Sequence, residues 1–102
     1  MAANEIHLND VGTVFVLTIK DDTVVVDISG ATTKTITFAG PDGVTTAKTA
    51  SLTTDGTDGK MQYTTVANDL DRAGTWKIQG KVVLASGTWY TDISTFTVHG
   101  NL

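Results

Sequence analysis

The stretch DLDRAGTWKIQGKVVL, residues 69–84, combines an acidic turn with the most regular alternation in the chain. Apolar side chains take one parity and polar side chains the other: Trp76, Ile78, Val82 and Leu84 against Lys77, Gln79 and Lys81. A period of two residues is typical of a β-strand with one buried face. The stretch therefore predicts a turn, through Ala73 and Gly74, that places a tryptophan anchor in the core of a β-sandwich.

Shorter alternating stretches occur elsewhere in the chain, and turn residues separate them. TVFVLTI, residues 13–19, and KTITF, residues 34–38, both alternate. Pro41-Asp42-Gly43 and Ser86-Gly87 supply turns. Thr, Val and Ile are abundant, and such β-branched residues suit a pleated sheet better than a helix. About seven strands at spacings of roughly 8–12 residues predict a sandwich or a small barrel.

The parity of the apolar residues predicts both the core and one irregularity. We expect a single core between two antiparallel sheets, formed by Phe15, Leu17, Ile36, Phe38, Tyr63, Trp76, Ile78, Val82 and Phe96. In TWYTDISTFTV, residues 88–98, Phe96 and Val98 belong to one face and Ile93 to the other. This break predicts a β-bulge near residues 92–94.

The composition fits one folded domain, residues 1–102, and disfavours several classes of function. The chain has 102 residues and no cysteine, so neither a disulfide framework nor a thiolate metal site is available. A formal net charge of −4 disfavours binding to nucleic-acid phosphates and to anionic membranes. The stretch MAANEIHLND lacks the segments of a secretion signal, and no apolar run approaches the roughly 20 residues that cross a bilayer. We therefore expect assembly in the compartment of synthesis.

No group of residues carries a recognisable reaction. The loop Asp55-Gly56-Thr57-Asp58-Gly59 is as rich in carboxylates and glycines as a calcium loop, but it lacks the later bidentate Glu of an EF-hand, so a plain hairpin loop is the better interpretation. His7 and His99 lie near opposite ends of the chain without a zinc spacing, so both are interpreted as surface residues. A nucleophile elbow and a phosphate loop are also absent. We expect no enzyme activity, no metal and no cofactor.

The approach to Trp76 resembles the corresponding segment of immunoglobulin-like sandwiches. That segment often reads acidic-x-Ala/Gly-x-Tyr, and its aromatic side chain packs at a corner with its polar tip bonded to nearby backbone. The matching residues here are Asp71, Ala73, Gly74 and Trp76. Trp replaces Tyr, and Ile78 stands where a disulfide cysteine would lie. The predicted fold is therefore an all-β, immunoglobulin-like antiparallel β-sandwich of about seven strands.

The stretch VVDISGATTKTITFAGPDGVT, residues 25–45, resembles the N-terminal domain of the baseplate upper protein family of tailed bacteriophages. Members of that family tend to read Val-Asp-Leu-x-Gly-Ala, then a strand, then Pro-Asp-Gly. The matching positions are Val26, Asp27, Ile28, Gly30, Ala31, Phe38, Pro41, Asp42 and Gly43, with Leu70, Ala73, Gly74 and Trp76 in the later approach. The resemblance implies an immunoglobulin-like virion domain that works by docking to other proteins.

We interpret the chain as a non-enzymatic structural component of a tailed-bacteriophage virion, in the tail, the baseplate or the capsid surface, made in the bacterial host cytoplasm. Its expected partners are other virion proteins and further copies of itself, with no nucleic acid and no membrane. The residues expected at the interface are Glu5, Ile6, His7, Leu8, Trp89 and Tyr90. Residues 2–4 and 99–102 lack a strand pattern, so we expect them to be free or ordered only by a partner.

A carbohydrate-binding module is the alternative interpretation. It would use Trp89 and Tyr90 as a stacking platform for a sugar ring, since exposed aromatic side chains often mark contact surfaces. In a regular strand these neighbours point to opposite faces, so at least one of them is expected to face outward. A response of tryptophan fluorescence to oligosaccharides would distinguish this interpretation from the virion one.

Overall fold

The computed structural model describes residues 6–100, which form eleven β-strands and no helix. The strands are β1 (Ile6–His7), β2 (Val14–Thr18), β3 (Lys20–Asp21), β4 (Val24–Val25), β5 (Thr33–Ala39), β6 (Thr45–Thr49), β7 (Ser51–Leu52), β8 (Lys60–Thr64), β9 (Gly74–Leu84), β10 (Gly87–Tyr90) and β11 (Ser94–His99). The predicted all-β fold is confirmed. The strand number exceeds the prediction because β1, β3, β4 and β7 have only two residues each, too few to leave a period in the sequence. Within residues 6–100 no helix could span a membrane.

β9 is the central strand of the larger sheet. The order in this six-stranded sheet is β1-β11-β9-β5-β6, and β10 also pairs with β9. β5 covers one side of β9, whereas β11 and β10 share the other side, β11 along residues 74–78 and β10 along residues 81–84. The smaller sheet has the order β2-β8-β7, and β3 and β4 form a separate hairpin. Among the described strands, only β1 and β11 pair in parallel.

The core lies between these two sheets and includes every residue that the sequence predicts. The buried members are Ile36, Phe38, Trp76, Ile78 and Val82, and the partly buried members packed against them are Phe15, Leu17, Tyr63 and Phe96. Further buried apolar residues come mostly from short strands and loops: Ile6, Ile19, Ile28, Ala50, Met61, Leu70 and Val98. Loops as well as strands therefore supply side chains to the core.

Aromatic rings connect the two sheets. The ring centroid of Phe15, on β2, lies 5.3 Å from that of Phe38 on β5 and 4.7 Å from that of Phe96 on β11. Phe96 in turn stacks on Trp76, with centroids 6.0 Å apart and an interplanar angle of 18°. Such pairs contribute about 0.5–1.5 kcal/mol each beyond the area that they bury. The cluster therefore joins the sheets in a chain that has no cysteine.

The predicted bulge lies between β10 and β11. Tyr90 pairs with Lys81 and Ser94 pairs with Ile78, so residues 91–93 lie opposite residues 79–80 only. The Thr91 N–H donates to the Gly80 carbonyl at 2.9 Å, and the Gly80 N–H donates to the Thr91 hydroxyl at 2.8 Å. These bonds hold the extra residue in place, so that β11 turns its apolar side chains back toward the core.

The corner before β9 has the geometry that the sequence predicts. The indole Nε1–H of Trp76 donates to the Arg72 carbonyl at 2.9 Å, and the Trp76 side chain is 2% exposed. The Arg72 guanidinium lies 5.4 Å from the centre of the same ring. A buried indole needs such a partner because an unsatisfied N–H is costly. Trp76 thus packs at this corner with its polar tip bonded to nearby backbone.

Two stretches that are far apart in sequence meet at this corner. Gly74 has φ of 134°, and a Cβ there would lie only 2.9 Å from the Cβ of Pro41. Arg72 pairs with Asp42, and its Nε lies 3.2 Å from the Asp71 carboxylate, an ion pair without hydrogen-bond geometry. The turn after β5 and the approach to β9 therefore brace each other, and glycine at 74 makes the close contact possible.

A polar network fastens the loop between β8 and β9. Asp69 accepts hydrogen bonds from the Tyr63 hydroxyl at 2.5 Å and from the Val66 N–H at 2.8 Å, and it pairs with Lys48 at 3.1 Å. Burial acts to raise the pKa of Asp69, but these three partners together outweigh burial and lower it. Burial first, and then Asp69, raise the pKa of Tyr63 to about 12. The network ties both sheets to this loop.

We expect Trp76→Ala to lower the free energy of unfolding by about 3–5 kcal/mol, the range for removing a buried large aromatic side chain. Chemical denaturation measures this change. The matched control is Thr75→Ala at the exposed neighbouring position, which should change stability by less than about 0.5 kcal/mol. A loss below about 1 kcal/mol for Trp76→Ala would contradict its role as the core anchor.

Tyr63 should make the protein lose stability in alkali. A tyrosine of the unfolded chain ionises near pH 10, whereas Tyr63 in the folded protein holds its proton until about pH 12. The unfolded state therefore binds fewer protons between these values, so the stability is complete below about pH 10 and falls as the pH rises to about 12. Denaturation at several pH values should show a steeper alkaline loss in the wild type than in Tyr63→Phe. Parallel curves would contradict the network, and Tyr90→Phe is the control.

Candidate docking surfaces

The described N-terminal residues of the predicted interface are part of the folded sandwich. Ile6 is 6% exposed and pairs with Val98, and Leu8 packs against the core while its N–H donates to the His99 carbonyl at 2.7 Å. His7 is partly exposed, whereas Glu5 lies outside the described residues. This segment is therefore an edge strand of the larger sheet, and among its described residues His7 is the one whose side chain points outward.

The expectation that His99 is free was wrong. His99 is the last residue of β11 and pairs with His7, because the parallel addition of β1 gives it a backbone partner that its local sequence does not show. The two imidazole rings lie 5.7 Å apart on the outer side of the sheet. Among residues 6–100, no group of three or more His, Cys, Asp or Glu could hold a metal ion. Gly100 follows the end of β11 and belongs to no strand, whereas residues 2–4 and 101–102, also expected to be free, lie outside the described residues.

Trp89 and Tyr90 point to opposite sides of β10. Trp89 pairs with the buried Val82 and packs against the core, and a Cβ at Gly87 would lie 3.3 Å from its ring. Tyr90 is 57% exposed, and the Lys81 ammonium lies 5.9 Å from the centre of its ring. The two rings do not form one surface, so the platform of the carbohydrate-binding interpretation is not present. Tyr90 remains available for contact.

Tyr90 belongs to a broad outer surface of the six-stranded sheet, which we call the threonine face. It consists of the outward side chains of β5, β6, β9, β10 and β11, among them Thr33, Thr35, Thr37, Thr45, Thr49, Thr75, Lys77, Lys81, Thr88, Tyr90, Thr95 and Thr97. None of the outward residues of these strands is Asp or Glu. The alternation of Lys77, Gln79 and Lys81 in the sequence indicates the part of this face that lies on β9.

The loop with two Asp-Gly pairs uses its carboxylates locally. Oδ1 of Asp55 accepts the Thr57 N–H at 3.1 Å and the Thr57 hydroxyl at 2.7 Å. Asp58 accepts the Lys60 N–H at 3.1 Å and the Thr54 hydroxyl at 3.2 Å. The hydrogen bonds from Thr57 lower the pKa of Asp55. These are the contacts of carboxylates that shape a turn.

The same loop packs against the segments on both sides of the hairpin of β3 and β4. The Gly56 carbonyl accepts the Ile28 N–H at 2.9 Å, and the Gly59 carbonyl accepts the Ile19 N–H at 2.7 Å. A Cβ at Gly59 would lie 2.5 Å from Val25 Cγ1, and the φ of Gly59 is 72°. Glycine is therefore needed here for close packing and for backbone conformation, which are structural reasons independent of a metal.

We expect millimolar calcium to leave the melting temperature unchanged. Only a ligand that prefers the folded state stabilises it, and among residues 6–100 no three carboxylate or imidazole side chains, those of Asp55 and Asp58 included, come together to hold a metal ion. Thermal melting with calcium and with chelator measures the effect, and magnesium at the same concentration controls for ionic strength. A calcium-specific rise in the melting temperature would identify the loop as a metal site.

Comparisons with known proteins bear on both fold and family. The crystal structure of CopC from Methylosinus trichosporium OB3b is similar, with a TM-score of 0.60 and 14% identity, over 97% of this chain and 89% of that chain. At this identity the similarity concerns the fold alone. No curated protein matches the chain. The profile of the BppU N-terminal domain matches residues 6–99, nearly the whole sequence. The chain therefore belongs to the family of the BppU N-terminal domain, a domain of the phage baseplate upper protein.

Proposed function

We propose that this protein is a non-enzymatic structural component of a tailed-bacteriophage virion and that it acts by docking to other virion proteins. The observation that carries the proposal is the family match over residues 6–99, because it accounts for nearly all of the described chain. The exposed Tyr90 on the threonine face supports docking as the mode of action.

The polar side chains support a structural role. Asp69 is engaged with Tyr63 and Lys48, and Arg72 is paired with Asp42 and Asp71. A hollow of about 110 Å³ beside these groups is lined mainly by side chains that are already paired or that belong to the core. Catalysis by general acids or nucleophiles needs groups that are free to meet a substrate. The charged groups around this hollow instead hold the loop between β8 and β9.

The immunoglobulin-like character of the sandwich is part of the proposal. It is supported by the corner at Trp76, whose indole bonds to the backbone four residues earlier. In the particle we expect many copies, in contact with other virion proteins and with each other but with neither nucleic acid nor membrane. Synthesis and assembly take place in the host cytoplasm.

Purified particles provide the test. Mass spectrometry should find the protein there in many copies, and Tyr90→Ser should reduce its amount, because interface aromatic side chains commonly contribute about 2 kcal/mol or more. We change Tyr90 alone, since Trp89 packs against the core and its replacement would affect folding. Tyr90→Phe, which keeps the ring, is the matched control, and the melting temperature shows whether each variant is folded.

One result would contradict the role of Tyr90, and another would contradict the virion role. Normal incorporation of folded Tyr90→Ser would exclude Tyr90 from the interface. Absence of the wild-type protein from particles would overturn the virion role itself.

A further inference from the structure

Charge is distributed unevenly over this acidic protein. The whole chain has seven Lys plus Arg against eleven Asp plus Glu. The threonine face nevertheless presents Lys77 and Lys81, and none of the outward residues on its strands is Asp or Glu. In a chain of net charge −4, this sheet face is therefore locally basic.

Negative charge is concentrated at the end of the sandwich where residues 19–30 pack against residues 53–60. The hydrogen bonds of Ile19 and Ile28 to the carbonyls of Gly59 and Gly56 hold these two segments together. Their carboxylates are Asp21, Asp22, Asp27, Asp55 and Asp58, and their only cations are Lys20 and Lys60. We call this surface the acidic end.

Asp27 and Asp55 of the acidic end have lowered pKa values and keep capacity for further contacts. Hydrogen bonds from Ser29 lower the pKa of Asp27, and hydrogen bonds from Thr57 lower the pKa of Asp55. A carboxylate offers about four acceptor sites, and the loop hydrogen bonds use only some of them. These side chains can therefore receive lysine ammonium groups without leaving their turns.

Apolar groups accompany the charges on both surfaces. On the threonine face, Ile93 is 61% exposed and lines a hollow of about 170 Å³ with Ala39 and Lys77. On the acidic end, Val24 is 67% exposed at the hairpin of β3 and β4, next to Asp21 and Asp22. An apolar contact with charged groups around it is the usual anatomy of a protein interface.

We propose that the threonine face of one copy binds the acidic end of a second copy, with Lys77 and Lys81 against its carboxylates and Val24 against the hollow beside Ile93. The contact is heterologous in this proposal: the threonine face of each copy meets the acidic end of the next copy. Repetition of such a contact produces a closed ring or an open filament. The inference rests on the proposed function only where it places this contact in the virion. The contact itself should form between copies of the purified protein.

Sedimentation of the purified protein tests the contact. At about 0.02 M salt we expect concentration-dependent association, and at about 0.5 M salt we expect dissociation, because screening weakens contacts between exposed charges. Lys77→Gln with Lys81→Gln, the face variant, should weaken association at least about tenfold. Ser51→Glu with Thr64→Glu makes the same change in net charge on the outer side of the smaller sheet and should leave association intact.

A mixing experiment tests the pairing of the two surfaces. The end variant combines Asp21→Asn and Val24→Ser with Asp55→Asn, which keeps an oxygen to accept the hydrogen bonds of Thr57. Each variant alone should be monomeric. Their mixture should form a one-to-one dimer and nothing larger, because one intact face and one intact end remain.

The outcomes separate this inference from the proposed function. A wild type that stays monomeric at low salt, an equal loss of association in the control variant, or the absence of a dimer in the mixture would each overturn the inference. None of these results bears on whether the protein is present in purified particles, which decides the virion role.

Discussion

The hydrogen bond from the Trp76 indole to the Arg72 carbonyl determines where β9 begins, and the larger sheet is built around β9. The indole is almost completely buried, so an unsatisfied N–H there would cost about 1–3 kcal/mol. Meeting this requirement fixes the path of the chain through Ala73 and Gly74. It also brings the turn at Pro41 against Gly74, so β5 and β9 are held at the same corner.

The second constraint is the distance between the sheets. A Cβ at Gly80 would collide with Met61 Cε and lie 3.1 Å from Leu17 Cδ1, so the missing side chain at the middle of β9 makes room for residues of the smaller sheet. Ile78, also on β9, is buried, and the chain has no cysteine. Close packing and aromatic contacts thus connect two sheets that other sandwiches connect covalently.

The sequence pattern predicted the features that depend on residues close to one another in the sequence. The alternation around Trp76 and Ile78 predicted the core strand, and the change of parity at Ile93 predicted the bulge. The inward direction of Trp89 could also be predicted from the sequence, because a two-residue turn at Ala85 and Ser86 places Trp89 opposite Val82. The pairing of β1 with β11 could not be predicted, since two residues carry no period and their partner lies at the other end of the chain. The threonine face follows from the strand order, which a single sequence does not specify.

The position of β9 between partners that are distant in sequence has a consequence for how the protein acquires its structure. Ile36 of β5 pairs with Gly80, and Phe96 of β11 pairs with Trp76, so few of its contacts are local. Topologies of this kind fold slowly, because loop closure must precede the contacts that compensate for it. During synthesis, β9 leaves the ribosome before β10 and β11. Until β11 follows, one side of β9 near Trp76 has no backbone partner, and the nascent chain exposes there an apolar strand edge that the finished protein conceals.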